Sequence, residues 1–370
     1  MVNAADCRLD DLVTVLAART DPADYPHADE VVDEVLVYAA GALGKTPKAE
    51  LTGALADGPG IVVVRDAFDR DTVERASAEF TAIIDEQHAA GASRGDHFAR
   101  PGANDRIWNA LEKLAVRAAA TFVEYYANDT LARLSEAWLG PGYQVTSQVN
   151  VVNPGGNAQV GHRDYHLGFL PAEHIERFPE HVHRLSPVLT LQGAVAHSDM
   201  PIESGPTCYL PHSQKYLPGY LATERPEFRA YFENHHVQLP LSLGDAVFFN
   251  PAVIHGAGTN RTRDVRRSAN LLQVSSPFGR AMETVDRRRV CTAIYPALLS
   301  MTARDRDGAD RAVAAAAEGY PFPTDLDRDP PLDGLAPASQ ADLVRRALAE
   351  RWPSERLERE LVEHAERRAS

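Results

Sequence analysis

Cysteine is scarce in this chain. Three residues in 370, Cys7, Cys208 and Cys291, are odd in number and far apart with no CxxC, which excludes a disulfide framework and a thiolate zinc site and leaves reduced thiols acting as small hydrophobes. Long apolar runs are absent too: none approaches the roughly 20 residues that span a bilayer, so no membrane partner is expected. The opening MVNAADCRLDDL lacks the basic-then-apolar order of a signal peptide, and the expected location is cytoplasmic. Positive charge is the minority sign, 38 Lys+Arg against 52 Asp+Glu for a net charge of −14, a balance that repels a phosphate backbone and argues against a nucleic-acid partner. There is no internal repeat and no low-complexity tract.

What is present is an ordinary globular composition, 44% hydrophobic and 24% charged. The stretch DEVVDEVLVYAAGAL from Asp29 to Leu43 has apolar residues at helical spacing and reads as a first helix. Gly58-Pro59-Gly60 punctuates, Ile61 to Val64 is a β-branched strand, and Asp69 caps a helix to about Gln87. Residues 92–106 read as an exposed loop, and Ile107 to Leu139 as helical, broken near Asn128-Asp129 and ended by Gly140-Pro141-Gly142. From there the character is short β-rich runs: Gln144–Val152, Val188–His197, Thr207–Leu210, His236–Leu239, Ala246–Phe249 and Ala269–Val274. Gly, Pro and Asp clusters separate them, the pattern of a sandwich or jelly roll. Beyond Tyr295 the chain turns charged and loop-like, with a final helix from about Ser339 to Arg368.

The informative segment is Gly161-His162-Arg163-Asp164-Tyr165-His166. On an extended strand His162 and Asp164 point to one side and can reach one cation. His255, after the strand Ala246–Phe249 and the turn Asn250-Pro251, is a candidate third ligand. Two His and a carboxylate are the facial triad of non-heme iron, which leaves positions for oxygen and a bidentate acid. An HxD pair alone is weak, since fourteen histidines make chance pairs common and His181-x-His183 competes. Eleven residues after His255 comes Arg266, then Ser268; an Arg fork and a hydroxyl on one strand face suit a carboxylate, as a keto-acid cosubstrate requires.

These residues resemble the phytanoyl-CoA dioxygenase family of iron(II)/2-oxoglutarate oxygenases over roughly residues 55 to 278. The resemblance rests on Arg106-Ile107-Trp108-Asn109, the HxD of His162 and Asp164, the run Gly205-Pro206-Thr207-Cys208-Tyr209-Leu210-Pro211-His212-Ser213-Gln214-Lys215, Gly244-Asp245, His255 and Arg266-x-Ser268. Thr207, His212 and Gln214 depart from that family's usual Leu, Gly and His. The resemblance implies a mainly β fold with flanking helices (α+β), whose core is a double-stranded β-helix, a cupin-like jelly roll. Its implied organisation is a helical extension over 1–54, an oxygenase domain over 55–298 with its β core from about 143, and a C-terminal loop and helix appendage over 299–370.

It further implies that His162, Asp164 and His255 bind Fe(II) and that Arg266 with Ser268 binds the 5-carboxylate of 2-oxoglutarate. Arg266 should then point into the barrel and Arg267 away from it. Gln148, on one strand face with Asn150, is a candidate near the 1-carboxylate, or else a barrel-filling amide. The implied reaction couples O2 and 2-oxoglutarate to oxidation of a C–H bond in a small-molecule substrate, releasing succinate and CO2. Asp164 favours oxygenation over halogenation, because related halogenases carry Gly or Ala there. The alternatives are a non-catalytic β-barrel binding module and a zinc hydrolase using the same three ligands.

Other residues have two readings each. Tyr165 and His166 either face substrate or pack, and Asn153 to Asn157 is a tight turn. Arg261, Arg263, Arg266, Arg267 and Arg287-Arg288-Arg289 form either an anion-binding patch or a solvated face. Trp108, Tyr125 and Tyr126 read as core. Substrate-determining loops are expected at 92–106, 166–187 and 300–335.

Overall fold

The stretch from Asp29 to Leu43 is where the computed structural model departs first from the expected pattern. The structure describes residues 1–91, 103–332 and 334–369. Instead of a helix, Glu30–Val32 (β1) and Val35–Ala39 (β2) form an antiparallel hairpin, followed only by a short helix at Ala40–Leu43. Asp33 and Glu34 turn it, both with positive φ (48° and 70°), as a two-residue hairpin loop requires. Val31, Val32, Val35 and Val37 are β-branched, and a neighbouring strand to pair with overrides a helical period in so short a segment.

That neighbour is Ile61–Arg65 (β3), which pairs parallel to β2. The remaining strands are Asn104–Ile107 (β4), Gln144–Val152 (β5), Thr190–Ala196 (β6), Cys208–Leu210 (β7), Val237–Gln238 (β8), Ala246–Phe249 (β9), Ile254–Gly256 (β10) and Arg267–Ser275 (β11). Eight of them build a mixed sheet in the order β1-β2-β3-β9-β6-β11-β5-β4, and β10-β7-β8 form a smaller sheet. The fold is α+β. β4 lies where loop residues were expected, and the rest of the 92–106 loop, residues 92–102, lies outside the described residues.

Strand alternation divides the large sheet into two faces. Val145, Val149 and Val151 of β5, Leu191 and Val195 of β6, and Leu272 and Val274 of β11 join the helices in the main core. Those helices are Arg70–Ala89, Ala110–Arg117, Ala119–Tyr126 and Asp129–Leu139. Asp69 caps the first of them, its carboxylate accepting from Thr72 N at 2.9 Å. Asn128 caps the last, accepting from Leu131 N at 2.9 Å. Tyr125 and Tyr126 are buried here, as their apolar surroundings predict.

The residues after Tyr295 are more helical than expected, with helices at Arg287–Thr302, Arg306–Ala316, Gln340–Ala349 and Ser354–Arg368. Rather than an appendage they belong to the main core, through Ile294, Leu298, Val313, Leu343, Leu348 and Leu361 among others. Arg306–Ala316 escapes a hydrophobic-period reading because its buried face is mostly alanine. Arg287 is buried rather than on a basic surface: its guanidinium donates to the carbonyls of Ala315 and Ala316 at 3.2 Å, closing the end of that helix, and to Val145 O at 3.0 Å. Among the described residues no helix is long and apolar enough to cross a membrane.

Candidate active site

Between the two sheets lies a cavity of about 140 Å³, walled by Val35, Val63, Leu239, Leu241, Val247 and Phe249 and carrying polar groups at chosen points. From the isolated bridge at His162 the chain sends His162 and Asp164 into this cavity, while Arg163 and Tyr165, the latter at a bend with a φ of 40°, turn into protein. His162 bridges to His255 of β10, each N–H donating to the other's carbonyl at 2.9 and 3.0 Å. A contact across 93 residues of sequence thereby puts both imidazoles beside the Asp164 carboxylate. The ligating atoms of His162, Asp164 and His255 all lie within 4.8 Å of one another. His162 Nε2 is 3.6 Å and His255 Nε2 3.5 Å from Asp164 oxygens.

The tautomers are set by the backbone. His162 Nδ1 lies 2.8 Å from Val160 O and His255 Nδ1 2.9 Å from Val253 O, so each Nδ1 carries the proton and each Nε2 presents a lone pair to the space between the three residues. Burial pushes the His162 pKa down, favouring the neutral ring that ligates metal. Burial also pushes the Asp164 pKa upward, but the surroundings made by the two histidines and the Gln192 amide outweigh it and hold the carboxylate below its ordinary range. The Gln192 amide donates to Asp164 Oδ2 at 2.5 Å. Two neutral nitrogens and one carboxylate oxygen on one side of an open space are a donor set suited to a divalent first-row metal.

The expected placement of Arg266 is reversed. Arg266 is half-exposed and faces outward, donating to Asn153 Oδ1 and to Asp105 Oδ2, each at 3.1 Å. Arg267 is the residue that turns inward: it is 7% exposed and lines the cavity. Ser268 lies on the opposite strand face from Arg267, its N–H donating to Ser198 Oγ at 3.1 Å. The parity comes from pairing: β11 enters the ladder at Arg267, opposite Val152 of β5, so Arg267, Ala269, Leu271 and Gln273 share the inner face. A spacing counted from His255 through the loop 257–265 carries no information on that register.

Arg267 is a buried cation. Its guanidinium reaches Ser204 O at 3.3 Å and Gly258 O at 3.5 Å, and among the described residues no carboxylate is within ion-pair distance. Burial lowers its pKa to about 10, which leaves it charged at neutral pH. Such a group is costly unless an anion meets it, and an anion entering the cavity would.

Gln148 is 1% exposed and lines the cavity with Asn150. Its Oε1 accepts from Arg106 Nη1 at 3.2 Å, and its Nε2 lies 3.3 Å from Met282 Sδ. Tyr165 packs: it is 1% exposed, and its hydroxyl donates to the same sulfur at 2.9 Å. The ring of His166 reaches Arg280 O at 3.4 Å. Of the loops expected to border substrate, 92–106 contributes Arg106 and 166–187 contributes Phe169, whereas none of the described residues of 300–335 lines the cavity. Residues that sequence reasoning passed over are Gln192, Gln273, Met282 and, as an inward cation, Arg106. A signal existed for Gln192, an amide in the otherwise apolar strand TLQGAVA.

No curated protein matches the chain. Solved structures to which it is similar include the non-heme alpha ketoglutarate dependent epimerase SnoN from nogalamycin biosynthesis, at 20% identity and TM-score 0.41 over 64% of this chain and 82% of that one. SnoN has also been solved in complex with Fe3+, alpha ketoglutarate and nogalamycin RO. AviO1 from Streptomyces viridochromogenes Tue57 is similar at 17% identity and TM-score 0.43, over 60% of this chain and 92% of that one. The family model described as phytanoyl-CoA dioxygenase (PhyH) matches residues 56–268, more than half of the chain. The match runs from before β3 to the first two residues of β11 and takes in all three converging side chains, and on that ground the chain belongs to the phytanoyl-CoA dioxygenase (PhyH) family.

Proposed function

We propose that the protein is an Fe(II)- and 2-oxoglutarate-dependent oxygenase that oxidises a C–H bond of a small-molecule substrate. In this reading the paired sheets are a double-stranded β-helix and His162, Asp164 and His255 hold the iron. The observation that carries it is their convergence with both imidazole tautomers already set for ligation. Bound there, iron would activate O2, which would take two electrons from 2-oxoglutarate on its conversion to succinate and CO2 and two from the substrate C–H bond.

The chain's own residues bind, orient and exclude water. Gln192 restrains the Asp164 carboxylate, so that one side chain keeps a fixed orientation beside two others. Arg267 takes the far carboxylate of 2-oxoglutarate, in place of Arg266, and the acid meets the charge that the protein leaves unpaired. Gln148, beside Arg106, offers its amide near the other end of the cosubstrate. The apolar wall of Val63, Val247 and Phe249 keeps water from the interior. Asp164, a carboxylate where halogenases have none, favours oxygen insertion or hydrogen removal over halogenation. A zinc hydrolase has no use for Arg267.

Anaerobic addition of Fe(II) and 2-oxoglutarate tests the reading. A visible charge-transfer band that needs both components is expected, followed by substrate-stimulated succinate formation in a screen of small metabolites. A protein that binds neither component would overturn it.

A further inference from the structure

We propose that Arg163 and Ser213 form a bracket that sets the spacing of the three metal ligands, with Arg163 a positioning residue acting through His162 and Asp164. The inference rests on the reading of that triad as a metal site. Arg163 sits between two ligands in sequence but points the other way, into a second core formed by Leu167, Tyr216, Tyr220 and Phe232 among others. It is 3% exposed, and among the described residues no carboxylate pairs with it. Its Nη2 donates to the carbonyls of Ser213 and, at 2.8 Å, Tyr216, and its guanidinium lies 5.3 Å from the centre of the Tyr220 ring. The fit is close: a Cβ at Gly219 would fall on the guanidinium carbon.

Ser213 also reaches the other half of the site. It is fully buried, and its Oγ accepts the backbone N–H of Ile254, the residue before His255, at 2.7 Å. One residue therefore holds the HxD segment through its carbonyl and β10 through its hydroxyl. The direct ties between those segments are the bridge of His162 and His255 and, on either side of it, the hydrogen bonds from Asp164 N to Pro251 O at 3.2 Å and from Gln159 N to Ala257 O at 2.8 Å. The loop carrying Ser213 is itself fixed, His212 N donating to Pro59 O at 2.8 Å and the His212 ring contacting Thr20 Oγ1 and Lys215 Nζ. This gives a role to the segment Gly205–Lys215, none of whose side chains belongs to the triad. Metal–ligand distances near 2.0–2.2 Å leave little slack, so a shift of either segment moves a ligand out of range.

A plain structural role for Arg163 predicts something different, and Arg287 supplies the contrast. It too is buried, donates only to backbone carbonyls, and lies outside the cavity lining. The experiment titrates the metal-free full-length protein with Co(II), reading affinity and the d–d absorption bands, beside thermal unfolding. Arg163→Gln, Ser213→Ala and Gly219→Ala are expected to bind Co(II) about 10- to 100-fold more weakly, with altered bands, the range seen when groups supporting metal ligands are removed. Arg163→Lys, which keeps a charged donor, should recover part of the loss. Arg287→Gln should lower the melting temperature and leave Co(II) affinity and spectrum unchanged. If Arg163→Gln does not fold, Ser213→Ala and Gly219→Ala carry the test. Parent-like Co(II) binding in those two, or an equal loss in Arg287→Gln, overturns the bracket. A parent protein that binds no Co(II) overturns the metal reading beneath it, an outcome the parent titration alone identifies.

Discussion

The two faces of the large sheet are made by the same strands and do opposite work. On its helix-covered face β5 presents Val145, Val149 and Val151, and β11 presents Leu272 and Val274. On the cavity face the same strands present Gln148 and Asn150, and Arg267, Ala269 and Gln273. Dry close packing on one side gives the sheet its stability, and on the other small and polar side chains leave room for ligands. The outer face nevertheless carries one polar cluster. His197 sits between the Ser77 hydroxyl at 2.8 Å and the Tyr125 hydroxyl at 2.9 Å, and Asn270 donates to Tyr125 at 3.2 Å. The partners there are other side chains of the cluster, whereas Arg267 on the inner face has no carboxylate within ion-pair distance among the described residues.

The comparison is broken most completely on the inner face. Asp164→Ala removes the carboxylate of the proposed metal site, and Fe(II) or Co(II) binding measured by calorimetry is expected to fall by at least two orders of magnitude, with little change in the melting temperature of the metal-free protein. Phe248→Ala does the reverse: Phe248 is fully buried in the helix-covered core, so the change should cost about 3–5 kcal/mol in denaturant unfolding and leave metal affinity intact wherever the variant stays folded.

The two adjacent arginines sharpen the contrast within a single strand. Arg267→Lys keeps the charge but loses the fork and should raise the 2-oxoglutarate concentration needed for the visible iron band by about tenfold or more. Arg266→Lys, on the outward face of the strand against Asp105, should leave it unchanged. An inverted pair of results would restore Arg266 as the anchor.

A further expected effect concerns pH. Burial lowers the His197 pKa to about 3 from an unfolded value near 6.5. A proton therefore binds the unfolded chain first: the stability from this neutral ring is fully present above pH 6.5 and is lost as pH falls from there toward 3. Urea unfolding at a series of pH values should show a shallower slope between pH 6 and 4 for His197→Gln than for the parent. Equal slopes would show that His197 does not contribute to it.

Much of this was readable in the chain. The limits of β5 and β9 agree with the β-rich runs that name them, and the Asp69 cap and the break at Asn128-Asp129 mark helix boundaries because each signal is local. The HxD pair announces itself for the same reason, since alternation within a strand puts positions two apart on one side. The hairpin at β1 and β2 was not readable, since its helix-like period is overridden by a strand 26 residues away. The helix Arg306–Ala316 was not either, its alanines gaining a core only from other helices.

By itself the sequence determined the chemical types at the site: two histidines, a carboxylate, and a pair of arginines about a dozen residues beyond the last histidine. Only the tertiary structure decided which arginine enters the cavity, because the side of a sheet on which a residue falls depends on the register of β11 against β5 and β6. A one-residue slip exchanges the two faces. The same holds for Gln192 and Ser213, whose partners Asp164 and Ile254 are brought near by pairing between strands rather than by any local rule.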